Sequence, residues 1–357
     1  MIPKEKAQGM DDTVLLGHGS GGSMMKRIID EVFFEAYAGE SLLRGNDAAV
    51  LPAPGAHEEG PVKYSGSLSF STDSFVVDPH FFPGGDIGRL AVCGTVNDVA
   101  TAGAEPKFLS CGFILEEGFP MEDLRRICAS MADAAREAGV EIVTGDTKVV
   151  NRGHGDGIYI NTSGIGFGYA GFDLGGEKCS PGDKVLVTGT MGDHGITIMS
   201  CRESLSFAAD IESDAAPLNH LIADVLKAAP ATRCFRDPTR GGLASTLNEL
   251  AAQSGTDIVI SEEAVPVKSA VLGACEMLGY DVFQVANEGK MVCVVPDDQA
   301  EDALAAMKAS EYGREAAIVG EVKAMQSERG PKVFLKTTFG STRILDMLVG
   351  EQLPRIC

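Results

Sequence analysis

The sequence predicts a two-domain α+β protein, and three observations lead there. The chain has 357 residues, more than one ordinary domain core needs. Apolar stripes of helical period alternate with short strand-like runs along its length. A stretch at 172–183, carrying Gly175, Gly176, Pro181 and Gly182, separates two halves that each contain both kinds of run.

The first half begins with a helix predicted over 23–37, where Met24, Ile28, Val32 and Glu35 share one side behind Gly22. Strands follow at 48–51 and 67–77, the second alternating Leu68, Phe70 and Thr72 on one face. A small-residue helix over 86–103 has the stripe Ile87, Leu90, Ala91 and Gly94, and four residues further along it comes Asp98. Pro120 opens and Gly139 closes a helix over 121–138, whose buried face is Leu124, Ile127, Cys128, Met131 and Ala135. Strands at 141–144 and 158–166 complete this half. Beyond the glycine-rich break, strands are predicted at 184–188, 257–260, 291–295, 318–322 and 333–336, interleaved with helices at 218–228, 242–253 and 297–309. This divides the chain into an N-terminal flap and helix (1–40), a first domain (41–171), a linker (172–183), an α+β domain (184–345) and a tail (346–357).

Composition narrows the function. Thirty Lys and Arg against 51 Asp and Glu leave a charge of −21, which disfavours binding to a nucleic-acid backbone. Nine cysteines without a C-x-x-C pair suggest neither a disulfide framework nor a zinc ribbon, and fit a reduced cytoplasm. The first eight residues lack an apolar signal core and no apolar run is long enough to span a bilayer, so a soluble, non-secreted protein is expected.

Four aspartates are expected at the ends of apolar elements: Asp47 in Gly45-Asn46-Asp47, Asp73 in Thr72-Asp73-Ser74, Asp98 in Val96-Asn97-Asp98, and Asp146 in Thr144-Gly145-Asp146-Thr147. Each alone is as well explained as a turn or cap residue satisfied by backbone N–H groups. Together, with no His or Cys beside them, they favour a hard cation such as Mg²⁺ bridging to phosphate. Asp98 would need such a partner most, because it continues a buried stripe. The run Gly17-His18-Gly19-Ser20-Gly21-Gly22 satisfies G-x-G-x-x-G, but only three strand-like residues precede it. A flap whose N–H groups meet phosphate is the better reading than a dinucleotide fold. Lys148, near Asp146, could neutralise phosphate or move a proton, and reads equally as a solvated lysine. Arg236 and Arg240 precede a helix and make an anion-binding corner, while Glu288 in Asn287-Glu288-Gly289 is either a base or a turn residue. A cysteine at position 357, beyond Gly350 and Pro354 in an extended tail, points to a thiol used chemically; the other eight read as core thiols.

The tail Leu353-Pro354-Arg355-Ile356-Cys357 resembles that of the HypE family, the carbamoyl dehydratases of [NiFe]-hydrogenase maturation. These belong to the superfamily of aminoimidazole ribonucleotide synthetase, selenophosphate synthetase and thiamine-phosphate kinase. The resemblance runs through His18-Gly-Ser-Gly-Gly22, Asn46-Asp-Ala-Ala-Val50, Thr72-Asp-Ser-Phe-Val-Val77, Val92-Cys-Gly-Thr-Val-Asn-Asp98, Thr144-Gly-Asp-Thr-Lys148, Gly192-Asp-His-Gly195, Arg236-Asp-Pro-Thr-Arg-Gly-Gly242 and Ala286-Asn-Glu-Gly289. The shared motifs indicate ATP use; the Pro-Arg-Ile-Cys ending selects this family.

The resemblance implies an aminoimidazole-ribonucleotide-synthetase-like fold: an N-terminal ATP-binding and dimerisation domain whose sheet forms a barrel across a homodimer, and a C-terminal α+β sandwich. ATP would lie between them, near Gly19, Ser20, Gly21, Asn97, Gly145, Thr147 and Arg240, with Mg²⁺ held by Asp47, Asp73, Asp98 and Asp146. A carbamoyltransferase, HypF, would load Cys357; ATP-dependent dehydration would leave a thiocyanate, and its cyanide would pass to iron on a HypC–HypD complex. Cys357 is then the covalent carrier, with Lys148 and Glu288 removing protons and orienting the group. Two rivals stay open on sequence alone: a sibling ATP-dependent enzyme with a small diffusible substrate, and a non-enzymatic scaffold for metallocentre assembly.

Overall fold

The computed structural model describes residues 12–15, 18, 28–37, 64–202, 211–326, 328, 330–347 and 356–357. The expected strand at 48–51, Asp47, the glycine-run residues Gly19, Ser20 and Gly21, and tail residues 348–355 lie outside them. Residues 28–37 are helical as expected, π-wound over Ile29–Phe34, and Phe33 stacks on Phe113 with ring centroids 5.0 Å apart.

The first half then runs β1 (Tyr64–Phe75), a short hairpin β2 (Phe81–Phe82) and β3 (Gly85–Asp86), α1 (Ile87–Thr101), β4 (Ala104–Glu116), α2 (Met121–Ala138), β5 (Glu141–Val150) and β6 (Ile158–Tyr169). Asp86 starts α1 by accepting from the N–H groups of Gly88 (2.7 Å) and Arg89 (3.0 Å). α2 ends where the sequence predicts, with Gly139 in the left-handed region (φ 72°). The four strands are ordered β1-β6-β4-β5, antiparallel except for the parallel β4–β5 pair. Both helices cover one face of this sheet. α1 comes close to β6 because Gly164 has no side chain: a Cβ there would sit 2.8 Å from the Thr95 methyl carbon. That close approach explains why the stripe of α1 is built of small residues.

The opposite face is apolar and open. Leu68 and Phe70 on β1 are 66% and 69% exposed and face Phe167 and Ile165 of β6, while Ile114 of β4 is also exposed. The alternation of Leu68, Phe70 and Thr72 read from sequence is therefore real, but within one chain it points to solvent rather than to a core.

The second half contains β7 (Lys184–Val187), α3 (Asp193–Arg202), α4 (Asn219–Ala228), β8 (Cys234–Arg236), α5 (Gly242–Ser254), β9 (Asp257–Ser261), α6 (Ser269–Leu278), β10 (Val292–Val295), α7 (Ala300–Ala309), β11 (Ala317–Lys323), β12 (Val333–Lys336) and β13 (Thr342–Ile344). Seven strands form one mixed sheet, β13-β12-β9-β11-β7-β10-β8. Separate apolar clusters cover it: one includes Leu243, Leu247, Ile258 and Leu335, the other Leu221, Ile222, Val225 and Met307. The second cluster also receives Ala100 from α1, so the two halves share packing.

Several sequence expectations need correction. β4 was missed although Leu109, Cys111, Phe113 and Leu115 alternate inward along it, as were α3, β8, α6 and β13. β5 runs on to Val150, so Asp146 lies within a strand and not at its end, and Asp73 is likewise within β1. Of the eight cysteines expected in cores, Cys201 is exposed at the end of α3.

Candidate active site

The two halves meet along the C-terminal part of α1. The Asn97 amide donates to the Ala216 carbonyl (3.0 Å) and its oxygen accepts from the Leu218 N–H (2.7 Å), so this buried side chain is fully used in joining the halves. The side chain expected beside the nucleotide is thus engaged within the protein, at the joint between the halves. The next residue, the half-buried Asp98, accepts from the Ser71 hydroxyl at 2.7 Å and faces Asp73 on β1. Asp98 is less buried than its stripe suggested, because α1 rolls its polar side toward a cleft.

Four carboxylates gather there. Burial and then the neighbouring Asp98 raise the proton affinity of Asp73, and Asp237 adds to the effect while Arg240 opposes it. Asp237, in the loop before α5, is pushed up to about 6 by burial and Asp98. Glu288 is only 4% exposed and rises well above the usual carboxylate range through burial, Asp237, Asp214, Asp73 and Asp98. Its Oε1 has no hydrogen-bond partner, while its N–H donates to Asp214 Oδ1 at 3.0 Å. Burial and mutual repulsion together raise the proton affinity of Asp73, Asp237 and Glu288.

The tail ends inside this group. The Ile356 side chain is buried in the first-half core, and the main-chain oxygen of Cys357 accepts from the Val76 N–H at 3.1 Å. The Cys357 thiol lies within hydrogen-bonding reach of Glu288, and burial and the Glu288 charge push it up to about 12, with Arg240 opposing. At neutral pH the docked thiol is protonated and a poor nucleophile.

Other expected residues fall elsewhere. Asp146 is exposed on β5 and pairs with Lys148 at 2.9 Å. The cross-strand row that begins at Asp73 passes Thr162 and Cys111 to Gly145, so Asp146 sits at the opposite sheet edge, three strand spacings or about 14 Å from Asp73. A set of Asp73, Asp98 and Asp146 around one ion is therefore not assembled within one chain, nor does Lys148 meet Glu288. Among the described residues no three His, Cys, Asp or Glu side chains form a ready cation position. The Asp73–Asp98 pair still suits Mg²⁺, which is held by one or two carboxylates together with phosphate oxygens. Gly145 lies against the Cys111 carbonyl, where any Cβ would collide, so close strand packing explains it without a nucleotide. Thr147 is buried and gives its N–H to Asp146 Oδ1 (2.8 Å). Arg240 is exposed at the rim, its charge felt by both Asp73 and Cys357. Asp237 was missed because it stands between two arginines, where the sequence reads as a cationic corner.

This fold and cleft define a class. Residues 45–167 match the family described as AIR synthase related protein, N-terminal domain, and residues 180–331 match its C-terminal domain. Over 345 residues the chain is 52% identical to the carbamoyl dehydratase HypE of Azotobacter vinelandii, covering 97% of each. A crystal structure of the hydrogenase maturation protein HypE in complex with ATP superposes with TM-score 0.89 at 48% identity, covering 96% of this chain and 99% of that one. A HypE–HypF complex gives TM-score 0.76 at 50% identity, covering 90% and 99%. The chain belongs to the HypE family of carbamoyl dehydratases, enzymes of hydrogenase maturation. Among the described residues no helix is long and apolar enough to cross a membrane.

Proposed function

We propose that this protein uses ATP to dehydrate a carbamoyl group carried on its own Cys357 to a thiocyanate, which supplies a cyanide ligand for hydrogenase iron. The observation that carries the reading is the placement of Cys357 within reach of Glu288, inside the carboxylate cleft. The family fold and the ATP complex of a 48% identical relative support ATP as co-substrate. The existence of a HypE–HypF complex of a 50% identical relative supports HypF as the enzyme that loads the carbamoyl group, and HypC–HypD is the acceptor that the resemblance implies.

Amide oxygen is a poor leaving group, and phosphorylation makes it a good one. The carbamoyl oxygen takes the γ-phosphoryl group, ADP departs, the C–O bond breaks with phosphate leaving, and the nitrogen gives up its two protons. Glu288, with proton affinity raised by burial and then by its acidic neighbours, is the base beside that nitrogen. Asp73 and Asp98 would hold Mg²⁺, with Asp237 adjacent; the ion would neutralise phosphate charge and orient the transfer. Arg240 at the rim is placed to meet a phosphate oxygen. Closed around the tail, the cleft keeps water from the thiocarbamate. Burial and Glu288 hold the docked thiol protonated, so loading by HypF would take place with the tail withdrawn.

A homodimer joined through the open sheet face completes the site. Leu68, Phe70 and Ile114 would pack against their counterparts, and closure into a barrel would set β5 of one copy beside β1 of the other. Asp146 and Lys148 of a second copy would then approach Asp73, Asp98 and Cys357, which reconciles the sequence-derived set with its separation in one chain. A mixing experiment tests this. Asp98→Asn and Asp146→Asn should each be inactive alone, whereas their co-expressed mixture should regain about a quarter of native activity, since half the dimers carry one intact site of two. No recovery in isolated mixed dimers would mean that Asp146 does not act across the interface.

A further inference from the structure

His194 is the second residue of α3, fully buried, and the sequence gives it no role. Its ring stands edge-on to Phe82 at 5.6 Å between centroids. Nδ1 lies 2.8 Å from the Ser213 hydroxyl, and Nε2 lies 2.9 Å from the Ile356 carbonyl oxygen, 162 residues away. These contacts fix the tautomer. The Ile356 carbonyl can only accept, so Nε2 carries the ring proton and donates it there, and Nδ1 accepts from the Ser213 hydroxyl, whose oxygen also accepts from the Ala215 N–H (3.2 Å). Ser213 is itself anchored, its N–H donating to the Pro83 carbonyl at 2.9 Å.

An ordinary core histidine takes its partners from segments that stay in place. Here one partner is a carbonyl in the tail, next to the reacting cysteine, and the proposed cycle requires that tail to leave and return. We propose that His194 is a positioning residue for the dehydration: by donating to the Ile356 carbonyl, with Ser213 holding its tautomer, it seats the tail so that Cys357 meets Glu288. Together with the Val76 N–H, which donates to a main-chain oxygen of Cys357, it holds two consecutive residues of the tail and so fixes the direction of the Cys357 side chain. When the tail leaves, a buried N–H loses its partner, and this favours re-docking. His194 touches no reacting atom and acts only through Ile356.

The inference rests on Cys357 being the carrier, and its test does not use catalysis. Full-length protein is treated with iodoacetamide, and alkylation of Cys357 is followed by mass spectrometry on the peptide 352–357, released by cleavage after Glu351. His194→Ala should raise the Cys357 labelling rate about five- to tenfold, the worth of one buried hydrogen bond. His194→Gln, whose amide N–H can reach the same carbonyl, should return the rate to within about twofold of native. Buried Cys93 and Cys293 must stay unlabelled and exposed Cys201, on the same helix, must label as before, reporting an intact fold. An unchanged Cys357 rate in His194→Ala would overturn the proposal. So would equal acceleration in the Ala and Gln variants accompanied by labelling of the buried cysteines, which is what a merely structural role produces. Should His194→Ala fail to fold, Ser213→Ala carries the test: it keeps the ring but frees the tautomer. It should raise labelling about threefold, and no change would overturn the proposal. Loss of the carrier role itself would instead be seen as product formation by Cys357→Ala.

Discussion

Cys357→Ala is expected to make no detectable thiocyanate or transferable cyanide while keeping its fold and its affinity for nucleotide. In the proposed reaction the sulfur is the atom on which the carbamoyl group is carried, and Cys357 is the thiol within hydrogen-bonding reach of Glu288. Seven of the other cysteines are buried in cores, and Cys201 lies exposed at the end of α3. Nucleotide binding should survive because Asp73, Asp98 and Arg240 are untouched. Removing the thiol also removes the group that desolvates beside Glu288, so thermal stability should change little. The measurement is a cyanide-transfer assay alongside calorimetric titration of Mg-ATP. Activity in the alanine variant would place the substrate elsewhere.

The second large effect is expected at Glu288. Glu288→Gln keeps the shape of a buried side chain and removes its charge, so kcat for dehydration should fall about 10²- to 10⁴-fold, the range for losing a positioned base. The same substitution makes an opposite prediction at the thiol. Glu288 raises the proton affinity of Cys357, so without its charge the thiol should deprotonate at lower pH and the pH profile of Cys357 alkylation should move downward. A slower dehydration with an unmoved alkylation profile would separate Glu288 from the cysteine and remove it as the base.

Much of this was legible in the sequence because it depends on local chemistry. The helix over α2 could be read to its last residue, since the Leu124, Ile127, Cys128, Met131 stripe and the left-handed Gly139 are fixed by neighbours in the chain. Asp73, Asp98, Glu288 and Cys357 could be singled out from their motifs, and the structure brings these four together. What the sequence hid depends on long-range pairing. β4 is a central strand bordered on both sides, and its inward alternation is broken near Pro106, where the register shifts. Asp146 looked like a companion of Asp73 by motif, yet strand order sends it to the far edge. Asn97 looked like a ligand residue and proves to be a joint between halves, because its partners Ala216 and Leu218 lie some 120 positions away. Asp237 and His194 gain meaning only from what folds against them.

The division between local and long-range information also accounts for the pKa pattern. The proton affinities of Asp73, Asp237 and Glu288 rise through burial and the charges brought together where α1, β1, the loop before α5 and the segment at Glu288 converge. A bound cation or protonation would relieve each repulsion, so the proposed binding of Mg-ATP should lower these proton affinities.

The most direct test of the central claim is mass spectrometry of the tail peptide 352–357 after incubation with the carbamoyl donor system, before and after ATP is added. The account predicts a gain of one carbamoyl group on Cys357, followed on ATP addition by loss of one water from the same peptide. ATP consumption with an unmodified tail would point to a diffusible substrate, and partner binding with neither modification nor ATP consumption to a scaffold; either result would contradict it.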